Sequence, residues 1–184
     1  MKVEKYDERL LISQLSEPKQ QRKAFEMVVR QYSEQLYWQI RRIVLIHDDA
    51  NDVLQNVFVK AWCHLDTFRN ESRLSTWLYR IALNESLDFV RRKRPQVGLG
   101  EDAAAGVADM LMADKYFDGD LAEARLQEAI AKLPDVQRAV FNLRYYENMK
   151  YSEISKITGT SEGALKASYH IAVKKISDYF KSHD

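Results

Sequence analysis

The sequence contains one cysteine, three prolines and six glycines in 184 residues. A lone thiol at Cys63 can close no internal disulfide and no four-ligand zinc site, so a reducing compartment and no structural metal are expected. Scarce glycine and proline exclude an all-β sandwich, whose many turns consume both. No apolar run approaches the roughly 20 residues of a membrane span, and the longest, Ile43 to Ile46, stops at His47-Asp48-Asp49. The opening MKVEKYDERLLISQ has neither the apolar stretch nor the small-residue cleavage site of a signal peptide. A cytoplasmic chain with no membrane insertion is expected. Net charge is lacking too, since 28 Lys plus Arg meet 27 Asp plus Glu. Disorder is excluded by a 46% hydrophobic content.

The near-neutral sum hides a partition. Residues 1–94 carry 17 basic and 13 acidic side chains, net +4; residues 95–120 carry one and six, net −5; residues 121–184 carry ten and eight, net +2. A basic run, Arg91-Arg92-Lys93-Arg94, meets Pro95, which disfavours helix in the residue before it. The stretch that follows has four glycines, scattered acids and no sustained amphipathic period. At about 25 residues it is longer than compact domains usually tolerate, and it is expected to be a flexible acidic linker.

Helical spacing dominates on both sides. Asp7 to Leu15 is a short helix ended by Ser16-Glu17-Pro18. Lys19 to Ile46 is a long one, with Val28, Tyr32, Leu36, Ile40 and Ile43 on one stripe. Asp49 opens a third, whose apolar stripe Ala50, Val53, Val57, Ala61 opposes a polar face of Asp49, Asp52, Gln55, Asn56 and Lys60. That polar face is either solvated or a dock for a basic partner helix. Cys63 falls beside the apolar stripe and is expected to be a core thiol. A loop from Asp66 to Arg73 leads to a fourth helix capped by Ser75 and running to Arg94.

After the linker the spacing predicts helices over Leu121 to Lys132, Asp135 to Tyr146, Tyr151 to Ile157 and Ser161 to Phe180, the last two joined by Thr158-Gly159-Thr160. Two helices on a tight glycine turn, the second longer and basic at its end, have the helix-turn-helix outline. Ile154, Ile157, Leu165, Ile171, Ala172 and Ile176 would form its core, leaving Lys166, Ser168, Tyr169 and His170 toward the outside for base edges and phosphates. The fold class is all-α, with two small helical domains and a C-terminal helix-turn-helix.

DTFRNESRLSTWLYRIALNESLDFVRRKR is the most unusual segment. It sets Phe68, Trp77 and Tyr79 among Arg69, Arg73, Arg80 and the basic run, and rings beside cations suit unpaired bases, which offer a face to stack on and a phosphate to neutralise. Trp77, with Leu74, Leu78 and Ile81 nearby, also fits a core position, whereas Phe68 stands in a polar loop with little local apolar company. No phosphate loop, nucleophile elbow or paired helical histidines point to an enzyme, and no cofactor is expected.

DDANDVLQNVFVKAW, the segment just described, and LPDVQRAVFNLRYYENMKYSEISKITGTSEGALKASYHIAVKKI together closely resemble the extracytoplasmic-function sigma factors of bacteria, small relatives within the housekeeping sigma family. The resemblance covers nearly the whole chain. It implies an alternative sigma factor that binds core RNA polymerase and directs promoter-specific initiation, with residues 1–94 as the minus-ten domain, 95–120 as a linker threading the polymerase, and 121–184 as the minus-thirty-five domain. Asp49, Asp52, Gln55 and Asn56 would meet the coiled coil of the β′ clamp, with Asn51 and Asn56 standing where relatives often carry acids. Phe68 would cover a flipped base; Asn70, Glu71 and Ser72 would bond its edge; Trp77, Arg80, Asn84 and Arg91 would support melting and hold phosphates.

On the last helix, relatives commonly show Gly-Thr-Val-Lys-Ser-Arg followed by further arginines, where this chain has Gly163-Ala164-Leu165-Lys166-Ala167-Ser168 and then His170-Ile171-Ala172-Val173. The resemblance then implies a less guanine-directed readout carried by Lys166, Ser168, Tyr169, His170 and Lys174. Implied partners are core polymerase, through β′ and the β subunit, and promoter DNA; the free chain is expected to be a monomer. Sequestration by an anti-sigma factor is common in the family, though no residue here specifies one. The rival reading is a helix-turn-helix regulator with an N-terminal sensing or interaction domain, which has no evident use for the aromatic and basic segment at 68–80.

Overall fold

The apolar stripes form helices throughout the computed structural model, which describes residues 7–68, 72–93 and 106–183. In chain order these are α1 (Glu8–Leu15), α2 (Gln21–Val44), α3 (His47–Cys63), α4 (Leu74–Lys93), α5 (Val107–Ala113), α6 (Leu121–Ala131), α7 (Asp135–Tyr145), α8 (Tyr151–Thr158) and α9 (Glu162–His183). No strand occurs among the described residues. None of their helices is long and apolar enough to cross a membrane.

Helices α1 to α4 close around Leu11, Leu15, Val28, Leu36, Ile40, Val53, Val57, Leu74 and Leu78. The long helix α2 ends two residues before the sequence spacing suggests, because Leu45 turns left-handed at φ 70° and returns its N–H to the Arg41 carbonyl at 2.9 Å. That kink lets α3 start at His47, with Asp48 and Asp49 in its first turn, where the helix dipole favours acids. Helix α4 starts at Leu74, one residue before the expected Ser75 cap. Its first N–H donates to Glu8 Oε1 at 2.7 Å, so a carboxylate on α1 does the work of a local cap.

Inside the stretch expected to lack helical period, α5 buries Val107, Ala108 and Leu111 against Ala124 of α6, with Leu45 alongside. The buried Glu128 carboxylate accepts from the Ala108 N–H at 3.0 Å, at the start of α5, and from the Tyr179 hydroxyl at 3.0 Å. Helices α6, α7 and α9 meet over Ile130, Leu133, Phe141, Ala172 and Ile176. Gly159 ends α8 at φ 72°, a conformation open to glycine at no steric cost, and so makes the tight turn into α9.

The two helical groups share a hydrophobic cluster. Ile43 of α2 and Tyr79 and Leu83 of α4 pack with Val140 and Leu143 of α7, Ile154 and Ile157 of α8, and Leu165 of α9. Around it, Arg42 pairs with Glu147 at 2.7 Å and its guanidinium lies 4.3 Å over the Tyr146 ring. Arg41, only 6% exposed, pairs with Asp114 just beyond α5.

Candidate nucleic-acid interface

Three surfaces gather the residues singled out in the sequence. On α3, Asp52, Gln55 and Asn56 are exposed, while Asp49 is partly buried and pairs with Lys93 at the end of α4. The same helical row continues through Val59 and Trp62, which are 61% and 42% exposed. Neither stands among the candidate docking residues named from the sequence. The spacing 52, 55/56, 59, 62 along one helix was the signal that could have found them. Cys63 is exposed as well, correcting its expected place in the core: it follows Ala61 by two positions, far enough round the helix to leave the buried stripe.

The second surface is α4 with the loop before it. Phe68 is half-buried, its ring centroid 5.3 Å from that of Trp77, so the company absent from its local sequence is supplied across the turn. Ser72 is half-buried; Asn70 and Glu71 lie outside the described residues. Arg80 and Asn84 are exposed on α4, but Arg80 Nη2 donates to the Lys156 carbonyl on α8. Arg91 Nε donates to Asp135 Oδ2 at 3.0 Å, at the start of α7. A groove of about 440 Å³ runs between Arg80, Asn84 and Leu87 on one side and Val136, Ile157 and Gly159 on the other. The cations expected at the minus-ten strand are therefore held by the C-terminal half.

Behind them, Tyr79 is buried and its hydroxyl donates to Glu147 Oε2. Burial, with the Glu147 charge and hydrogen bond, pushes this phenol well above its ordinary range. Tyr146 is raised in the same direction by burial and by Glu123, to whose Oε1 it donates at 2.9 Å.

The third surface is the outside of α9. Lys166, His170 and Lys174 are exposed there in one row. Ser168 is half-buried. Tyr169 turns inward, stacking on Phe141 with centroids 5.7 Å apart and meeting Tyr151 edge-on, which corrects its expected outward position. Ile171 is the opposite correction, since it was expected in the core and is 44% exposed. Both follow from the helix period: Leu165, Ala172 and Ile176 define the buried line, Tyr169 lies on it and Ile171 falls off it.

The sequence is matched by two family models, "Sigma-70 region 2" over residues 28–96 and "Sigma-70, region 4" over residues 123–176. The chain is 31% identical over 156 residues to the ECF RNA polymerase sigma factor SigW of Bacillus subtilis, covering 80% of this chain and 83% of that one. The chain belongs to the extracytoplasmic-function sigma factors. The sigma-H factor of Pseudomonas aeruginosa is likewise 31% identical over 155 residues, covering 79% and 80% of the two chains. Among solved structures, CnrH in complex with the cytosolic domain of CnrY has a TM-score of 0.70 at 24% identity, over 96% of this chain and 99% of that one. RpoE in complex with the anti-sigma factor NepR from Bartonella quintana has a TM-score of 0.68 at 23% identity, over 86% and 98%. These likenesses show the fold. The kinship is with the extracytoplasmic-function branch of the sigma-70 family, which adjusts the link to housekeeping factors made from the sequence. As a sigma factor the protein directs RNA polymerase in transcription initiation.

Proposed function

We propose that this sigma factor works in the cytoplasm as a monomeric, non-enzymatic subunit of the polymerase, with residues 1–94 serving the minus-ten element, 95–120 linking, and 121–184 serving the minus-thirty-five element. Asp49, Asp52, Gln55 and Asn56, extended by Val59 and Trp62, dock on the β′ coiled coil, the acids steering a basic helix and the apolar pair supplying the dry centre of the contact. Phe68, backed by Trp77, covers a base flipped out of the nontemplate strand, with Ser72, Asn70 and Glu71 at its edge. Arg80, Asn84 and Arg91 take the neighbouring phosphates. Flipping costs a few kcal/mol, which stacking worth about 1–3 kcal/mol per base offsets together with the backbone contacts. Lys166, His170 and Lys174, aided by Ser168, read the upstream duplex; the inward-turned Tyr169 supports the helix from behind.

The observation that carries this reading is the pairing of two surfaces in one chain: the Phe68 ring packed on Trp77 of the helix that also carries Arg80 and Arg91, suited to unpaired bases, and a separate open helix with a basic row, suited to duplex. A duplex-only regulator needs the second alone. The deciding experiment is transcription in vitro from a matched promoter with purified core polymerase. Specific initiation, with co-migration of the protein and core, is expected; failure of both would remove the proposal. An anti-sigma partner is part of the proposal by family alone.

A further inference from the structure

We infer that the apolar edge of α9, formed by Ala164, Ala167 and Ile171, reads the 5-methyl groups of thymines in the upstream promoter element. The inference rests on α9 being the duplex reader.

The open face of α9 has two edges. Lys166, His170 and Lys174 follow one another at spacings of four along one, and Ala164, Ala167 and Ile171 at three and four along the other; all six are exposed. Single exposed apolar residues are ordinary on protein surfaces. Here three of them align on the face that the proposed function turns toward DNA, opposite the buried line of Leu165, Ala172 and Ile176. Gly163 precedes them, and a Cβ added there would meet no atom within 4 Å. The N-terminal end of the helix, with Gly163, Ala164 and Ala167, is therefore slim enough to bring its backbone near the floor of a groove. Helix α9 holds no arginine, so it lacks the fork that commonly reads guanine.

In the major groove the base edges present donors, acceptors and one apolar group, the thymine C5-methyl. An apolar ridge opposite a guanine or cytosine edge would desolvate polar atoms without pairing them, and opposite a thymine it would cover a methyl. Lys166 and His170, one helical edge away, remain free to donate to acceptors or phosphates. Selectivity then comes from shape and burial, and guanine bidentates contribute nothing to it.

The test uses holoenzyme assembled from the full chain and core polymerase. Upstream elements are selected from a randomised duplex library, and each selected thymidine is replaced in turn by deoxyuridine, which differs only by the methyl. Initiation is expected to fall about four-fold at one or two positions, the value of one methyl group taken out of water. Ile171→Ala should bring the thymine promoter down to the uracil level and erase the difference between them. Uracil that is neutral at every position, or a uracil penalty undiminished in Ile171→Ala, overturns the methyl contact; a ridge that faces a protein instead gives the first of these results. Holoenzyme that initiates equally well whatever its upstream sequence fails the reader assignment itself, whereas holoenzyme that needs that sequence but ignores uracil fails only the methyl contact.

Discussion

The hydroxyl of Tyr79 donates to the carboxylate of Glu147 at 3.2 Å, tying α4 of the N-terminal half to the chain just beyond α7. Burial is the main reason that this phenol holds its proton more firmly than usual, with Glu147 adding to it. A phenol whose folded pKa is raised contributes stability that is complete below the unfolded value, about 10, and that is lost as pH rises beyond it. Tyr146 is shifted in the same direction. Stability measured by urea unfolding should therefore decline above about pH 10. Tyr79→Phe should flatten that decline in part, leaving the share due to Tyr146 and to Tyr32, Tyr169 and Tyr179, which burial also raises, and an unchanged slope would refute the assignment.

Glu147 also accepts from Arg42 at 2.7 Å, and so serves two residues of the other half. Glu147→Ala should cost about 2 kcal/mol, the scale of hydrogen bonds to a charged group lost from a partly buried site. It should also lengthen the distance between fluorophores placed on α3 and α9. A variant that loses stability with no change in that distance would show the carboxylate to be a local brace only.

Much of this was legible in the sequence, and the exceptions have two causes, short length and partners far along the chain. Stripes such as Val28, Leu36 and Ile40 identify their helices because burial on one side repeats with the helical period. Helix α5 was missed because seven residues are too few to establish a period. The start of α4 was placed at Ser75 because the group that caps it, Glu8, lies 66 residues away. The same holds for Arg80 on Lys156 and Arg91 on Asp135: a periodic pattern says which face is polar, and the partner on another helix leaves no mark in it. At the candidate site, the aromatic and basic composition of 68–80 was visible, but the packing of Phe68 on Trp77 was not.

Phe68→Ala should leave binding to core polymerase intact and slow promoter opening by about ten-fold or more, from stacking worth about 1–3 kcal/mol. A pre-melted template should restore most of the rate, because the strand no longer has to be captured from duplex. Equal rates for wild type and variant on both templates would remove Phe68 from base capture.

Val59 is 61% exposed beside Gln55 and Asn56, so a charge placed there leaves the core of the fold untouched. Val59→Asp should weaken the association with core polymerase about ten-fold, as expected for a residue at the dry centre of an interface. Thermal stability should change little. Undiminished affinity in a binding titration would confine the dock to the polar residues.

Glu128 is buried, which by itself raises a carboxyl pKa, but the Ala108 N–H, Lys132 and the Tyr179 hydroxyl outweigh burial and the net shift is downward. A depressed carboxylate contributes stability that is present above the unfolded value near 4.3 and lost as pH falls through the folded one. Glu128→Gln should cost about 2 kcal/mol at neutral pH and weaken the dependence on acid below about pH 4. Amide exchange at Ala108 should quicken in the variant; unaltered exchange there would show that α5 is held by its apolar side chains alone.

Arg80 and Arg91 are engaged by the C-terminal half, whereas Lys166, His170 and Lys174 face outward. A single strand that requires the first two sees only the fraction of molecules in which those contacts have parted, and its apparent dissociation constant is multiplied by the inverse of that fraction. A duplex that meets the other three sees every molecule. On the proposed assignment, the protein free in solution would offer its two DNA surfaces on unequal terms, and whatever holds the halves apart would remove the handicap from one while leaving the other as it was.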